Sequence, residues 1–149
     1  MRKNKFMKER INKYSLFAAA ALIALSGLFI GMNSTAQQPQ QWFAPKEANE
    51  LKNPVAGKVA ATAKGKINFV KTCLPCHGAK GKGDGPAGIS LKPRPQDLMS
   101  AAVQGQSDGA IFWKINEGRA PMASYKTTFT AEQIWQLVNY LRQLKAEAK

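Results

Sequence analysis

Cys73-Leu74-Pro75-Cys76-His77 is the one segment of this chain whose residue types and spacing specify a reaction. Two thiols three residues apart, followed at once by an imidazole, form the attachment site of a c-type haem. Each thiol adds to one vinyl group of the porphyrin as a thioether. The next residue then stands beneath the ring, where its imidazole can bind iron. The chain holds two cysteines and one histidine in all, so nothing else in it can replace these three.

Other uses of the same residues fit less well. A structural zinc site wants four Cys or His ligands, usually as two separated pairs, and this cluster supplies three. A thioredoxin-like dithiol follows a hydrophobic strand within a βαβ pattern, and no Val/Ile-rich strand precedes Cys73. A disulfide across two intervening residues closes a short, strained loop.

The elements that position this motif begin well after the N-terminus. Residues 1–14 carry six Lys/Arg against one acid, Glu9, and residues 16–32 then run without a charge. A basic segment followed by an apolar one directs export, with the basic end left in the cytoplasm. As a helix the apolar run spans roughly 26 Å, near the lower limit for crossing a bilayer. Ser34-Thr35-Ala36 offers a cleavage site before Gln37, and two outcomes stay open. Retention gives a membrane anchor over residues 15–32, with the rest of the chain on the periplasmic side of the cytoplasmic membrane. Cleavage near Ala36 gives a soluble periplasmic protein. Residues 1–36 are thus a signal or anchor, and residues 37–53, rich in Gln, Pro and charge, read as a polar tether. Trp42 and Phe43 interrupt it and suit either a membrane interface or the face of the domain.

Of the formal charge of +13, six bases and one acid lie in residues 1–36. Sixteen bases and eight acids remain in residues 37–149, a net +8. Outside the cytoplasm this excludes nucleic acid as the natural partner and points to acidic proteins or an anionic membrane surface.

Residues 54–149 form the domain. Pro54 to Lys71 reads as a helix with Asn53 as N-cap and Pro54 at the first position. Gly65 and Phe69 precede Cys73 by eight and four residues and share its helical face. Glycine costs a helix roughly 1 kcal/mol relative to Ala, which points to close approach by another helix. Its expected partner is the C-terminal helix. There Thr130-Ala131-Glu132-Gln133 forms a capping box, and Ile134, Leu137, Val138, Leu141 and Leu144 make one apolar stripe. Trp135 and Tyr140 flank the stripe and are expected over Gly65 and Phe69. A further helix runs from Ser107 to Glu117 and ends at Gly118. Between His77 and Ser107, glycines and prolines enforce turns. A loop of that length is unusual in a small domain and is expected to fold around the porphyrin.

These residues resemble the class I c-type cytochromes, specifically small exported bacterial members with one haem, over roughly residues 54–147. The matching features are Gly65, Phe69, the Cys73–His77 motif, the Gly83-Asp84-Gly85-Pro86 loop, a methionine segment before the last helix, and Tyr140. The resemblance implies an all-α cytochrome c fold of three to five helices around one covalently attached haem c, held through Cys73 and Cys76. It also implies a methionine sulfur opposite His77. Met122, in Pro121-Met122-Ala123-Ser124-Tyr125, matches the ligand loop, with Pro121 before the methionine rather than after it. Met99 is the competing sulfur and reads as core filling. The family's acceptor for the ligand histidine's other N–H is a proline carbonyl, here Pro86. Trp113 and Tyr125 could line the haem or bond a propionate, and as lone aromatics they read as packing residues. The implied function is one-electron transfer with redox partner proteins that carry acidic docking surfaces, not enzymatic catalysis. A haem subunit or electron-entry module of a membrane oxidoreductase is the alternative, and a ligand sensor would need an open iron position.

Overall fold

The structure, a computed structural model, describes residues 41–147; the export segment and the start of the tether lie outside the described residues. Among the described residues, six α-helices and one π-helical turn make up the regular structure. These are α1 (Lys46–Glu50), α2 (Val59–Asn68), the π turn (Phe69–Cys73), α3 (Leu74–His77), α4 (Ala101–Gln104), α5 (Asp108–Glu117) and α6 (Ala131–Glu147). No strand occurs among the described residues, where Arg119 and Met122 form an isolated antiparallel bridge. Among them no helix is long and apolar enough to cross a membrane.

Helix α6 is the frame. Thr130 Oγ1 accepts from Gln133 N–H at 3.2 Å and Gln133 Oε1 accepts from Thr130 N–H at 2.8 Å, so both arms of the expected capping box are made. The stripe Ile134, Leu137, Val138, Leu141 and Leu144 is buried throughout. Helix α2 packs along it, and Gly65 is the reason the two backbones approach so closely. A Cβ there would stand 1.9 Å from Gln136 O. One turn on, Phe69 meets Tyr140 with ring centroids 5.2 Å apart. Trp135 departs from expectation and stacks on Phe112 of α5 at 4.2 Å. Helix α5 begins at the Ser107 cap, whose Oγ accepts from Ala110 N–H at 3.0 Å.

The helix before the motif starts at Val59 rather than Pro54. Gly57 takes φ +72°, outside the helical region, so residues 54–57 turn first. Asn53 caps that turn, accepting from Val55 N–H at 3.0 Å, and ties it to Asp108 and Asn139.

The tether reading holds least well. Residues 41–53 belong to the same compact unit as the rest of the domain. Ala48 is buried, and Gly109 of α5 leaves room for it, since a Cβ there would lie 1.9 Å from Ala48 O. Trp42 lies 6.2 Å from Trp113, with the Arg119 guanidinium 5.0 Å and the Lys114 ammonium 5.5 Å from its ring. Aromatic and cation–π contacts account for its position against the domain.

The long loop is closed by two polar clamps. Gln104 of α4 is buried and donates to Leu98 O at 2.7 Å and Leu141 O at 3.0 Å. Arg142 of α6 bonds Asp108 Oδ1 and the carbonyls of Gln104 and Gln106, at 2.8, 2.8 and 2.6 Å.

Candidate haem site

Cys73 closes the π turn, and Cys76 and His77 follow on α3, so all three donors arise within two successive turns of chain. The π turn is made by Leu74 N–H bonding Phe69 O, one residue further back than an α-helix allows. Such turns mark an inserted residue and are frequent at functional sites. Glycine must follow the histidine: Gly78 has φ +77°, and a Cβ would stand 1.9 Å from Asp84 Oδ1.

The loop then folds back over α3. Gly83, Gly85 and Ala87 N–H groups donate to the carbonyls of His77, Cys76 and Pro75 at 2.8, 3.2 and 2.9 Å, which satisfies the C-terminal end of that short helix. Pro86 sits in this cap, exposed, and His77 Nδ1 makes no hydrogen bond to it here; the chain comes near the imidazole again at Gln96. Gln96's backbone acts on His77 but falls short of hydrogen-bond geometry: His77 Nδ1 is buried without a partner, the one such side-chain atom among the described residues. Burial is the larger influence and pushes the imidazole pKa down, favouring the neutral ring that can donate a lone pair.

The cysteines are unbridged. Burial, and then Cys76 nearby, push the Cys73 thiol pKa up to about 12. A redox-active dithiol depends on the opposite shift, toward thiolate, so the environment argues against exchange chemistry. Among the described residues no three Cys, His, Asp or Glu side chains converge on a metal site.

The surroundings fit a flat apolar group bonded to these donors. Cys73, Leu74, Leu98, Met99, Met122 and Tyr125 all pack against the core yet remain partly exposed. They come from the π turn and α3, the long loop and the segment after α5, and each shows apolar surface that a porphyrin among them would remove from water, at about 25 cal/mol per Å². Tyr125 is the residue whose role the sequence left open. Burial raises its pKa first, with Cys73 and Cys76 adding to the effect. Trp113 is turned to Trp42 instead. Met122 is held by two backbone bonds to Arg119, at 3.0 and 2.9 Å, in a tight turn. Met99 is equally half-buried, so burial alone does not separate the two sulfurs.

Residues 60–141, more than half of the chain, match the protein family described as "Cytochrome C oxidase, cbb3-type, subunit III". Among solved structures, a chain of the reducing HAO-like protein complex of Kuenenia stuttgartiensis is similar, with a TM-score of 0.56 and 22% identity. The likeness covers 63% of this chain and 49% of that one, so this chain spans about half the length of the one it matches, and what they share is the fold. No curated protein matches.

Proposed function

The chain belongs to the family of cbb3-type cytochrome c oxidase subunit III and is a c-type cytochrome, a haem-based electron-transfer domain; from that premise we propose that it is a one-electron carrier of an exported or membrane-anchored respiratory chain. The haem, when bound, supplies reversible one-electron chemistry. Everything else falls to the residues of this chain. Cys73 and Cys76 would hold the group covalently, and His77 nitrogen and Met122 sulfur would be its ligands from this chain. With two ligands supplied by the chain, oxygen and substrates would find no place on the metal. Cys73, Leu74, Leu98, Met99 and Tyr125 exclude water from the ring. The observation that carries this reading is the pairing of unpartnered donors with a half-exposed apolar rim drawn from three separate segments. The basic segment and apolar run of residues 1–32 support placement on the periplasmic side of the cytoplasmic membrane.

The family description, which is that of an oxidase subunit, favours a second reading: a haem c subunit or electron-entry module of a membrane oxidoreductase. Salt separates the two. A diffusing carrier with a basic surface reacts with acidic partners more slowly as ionic strength rises, because exposed charges are screened beyond about 10 Å at 0.1 M. Stopped-flow oxidation of the reduced protein by native membranes is expected to slow across that range. A rate that stays flat from low to high salt would retire the carrier in favour of the fixed subunit, whose transfer is intramolecular.

A further inference from the structure

Helix α2 has a second face that the packing of the domain does not use. Ala61, Gly65 and Phe69 are buried against the rest of the molecule. Val59 and Ile67 stand elsewhere on the helix and Val70 follows in the π turn; linked through Ala63 at i, i+4, i+8 and i+11, the three are 84%, 54% and 48% exposed. That spacing makes one continuous row. β-Branched residues are mediocre helix formers, and here they bury little, so neither helix formation nor core packing selects them. Lys66 borders the row on one side and Lys64 and Lys71 on the other, all exposed. No acid occurs between Glu50 and Asp84, a stretch with seven lysines, and none of these lysines forms an ion pair among the described residues. The row ends at Val70 in the π turn, three residues before Cys73.

We propose that this face of α2 is the docking surface for an acidic redox protein, whose apolar patch covers Val59, Ile67 and Val70 while its carboxylates meet Lys64, Lys66 and Lys71. The charge on the page decides the occupant. A second copy of this chain would bring lysines against lysines, which is costly at close range. An anionic lipid surface would satisfy the lysines, but the row lacks the Trp, Phe and Leu that give interfacial helices their grip. An apolar centre with a charged rim is the anatomy of a protein interface. Docking here sets the partner against the turn that bears the haem attachment, which rests on the electron-carrier reading.

The test uses the full-length haem-loaded protein, reduced, against two oxidants: an acidic plastocyanin-type copper protein and hexacyanoferrate(III). Ile67→Thr with Val70→Thr removes apolar surface without changing charge, and both sites are exposed, so the fold tolerates it. The affinity of the copper protein, read from saturation of the transfer rate, is expected to fall about tenfold, the effect of losing a central contact. The salt slope and the hexacyanoferrate rate should be unchanged. Lys64→Gln with Lys71→Gln should instead flatten the salt slope. Wild-type affinity in the threonine variant overturns the docking face while leaving the carrier intact; a wild-type protein that hexacyanoferrate cannot oxidise overturns the carrier itself. Binding to phosphatidylglycerol vesicles that the threonine variant loses, with copper-protein affinity unmoved, overturns the proposal in favour of a membrane. A dimer in sedimentation that the variant disperses overturns it in favour of a second copy.

Discussion

Gly65 and Gln136 touch backbone to backbone: a Cβ built on Gly65 would lie 1.9 Å from the Gln136 carbonyl oxygen and 2.5 Å from its carbon. Nothing flexible lies in that path, so helices α2 and α6 must separate if residue 65 gains a side chain. Alanine is the better helix former by about 1 kcal/mol, and the contact outweighs it, because overpacking costs 1–3 kcal/mol and more where backbone cannot yield. Gly65→Ala is expected to lower stability by about 2 kcal/mol or more, roughly a 10 °C fall in Tm for a domain of this size. An unchanged Tm in far-UV circular dichroism would mean that the helices do not meet at this glycine.

Cys73→Ser with Cys76→Ser should give a colourless chain that proteases cut within residues 78–100. The loop there carries no helix until Ala101, and its half-exposed Leu98 and Met99 need the porphyrin to complete their burial. A compact, resistant, haem-free domain in limited proteolysis would contradict this.

Those two predictions draw on what the sequence made legible. The Thr130–Gln133 box, the α6 stripe, the Ser107 cap and the Gly65–Phe69–Cys73 spacing are local signals, each set by residues within one or two turns, and they survive folding intact. What was hidden is non-local. Arg142 reads as a solvated residue on the polar flank of α6, because nothing in the sequence ties it to Asp108, 34 positions earlier. The same holds for Gln104 and Leu141, 37 positions apart. Helix α1 did have a signal, Pro45 ahead of Lys46-Glu47, with a proline at the start and an acid in the first turn. The Gln/Pro composition around it concealed that signal. The Pro86 expectation rests on a resemblance rather than on a local signal, and His77 Nδ1 has no hydrogen-bond partner here.

Met122→Ala should open the sixth iron position, abolish the methionine–iron band near the red end of the ferric spectrum and lower the midpoint potential. Met99→Ala should keep that band and cost stability by the 2–5 kcal/mol of a core truncation, toward the low end because the side chain is half-exposed. Loss of the band in the Met99 variant alone would transfer the ligand assignment to Met99.

Arg142→Ala removes a forked cation that bonds one carboxylate and two carbonyls at once. Hydrogen bonds to charged groups contribute about 1.5–3 kcal/mol each when their partners are stranded. The side chain is 28% exposed, so water softens the loss; about 2–3 kcal/mol in total is expected from denaturant midpoints. Arg142→Lys keeps a charge for Asp108 but cannot reproduce the planar fork, and should recover no more than half. Full recovery by lysine would show that charge, not geometry, holds the α4–α5 segment to α6.

Trp42 should control how firmly Met122 stays on iron. Its ring carries the Arg119 guanidinium at 5.0 Å, and Arg119 is joined to Met122 by the two backbone bonds of their shared turn. The contacts of Trp42 to Arg119 and Lys114 are each about 0.5–1 kcal/mol at a partly open site, so Trp42→Ala is expected to lower Tm only slightly. The ligand turn, released on one side, should open more often. Added imidazole should then capture ferric iron several-fold faster, while the methionine band persists in its absence. Trp42→Phe, which keeps an aromatic face, should restore most of the slow capture. A capture rate equal to wild type in Trp42→Ala, alongside a lowered Tm, would confine residues 41–53 to stabilising the domain. Because Met122→Ala tests the ligand directly, an error in that assignment would be visible separately from an error about Trp42.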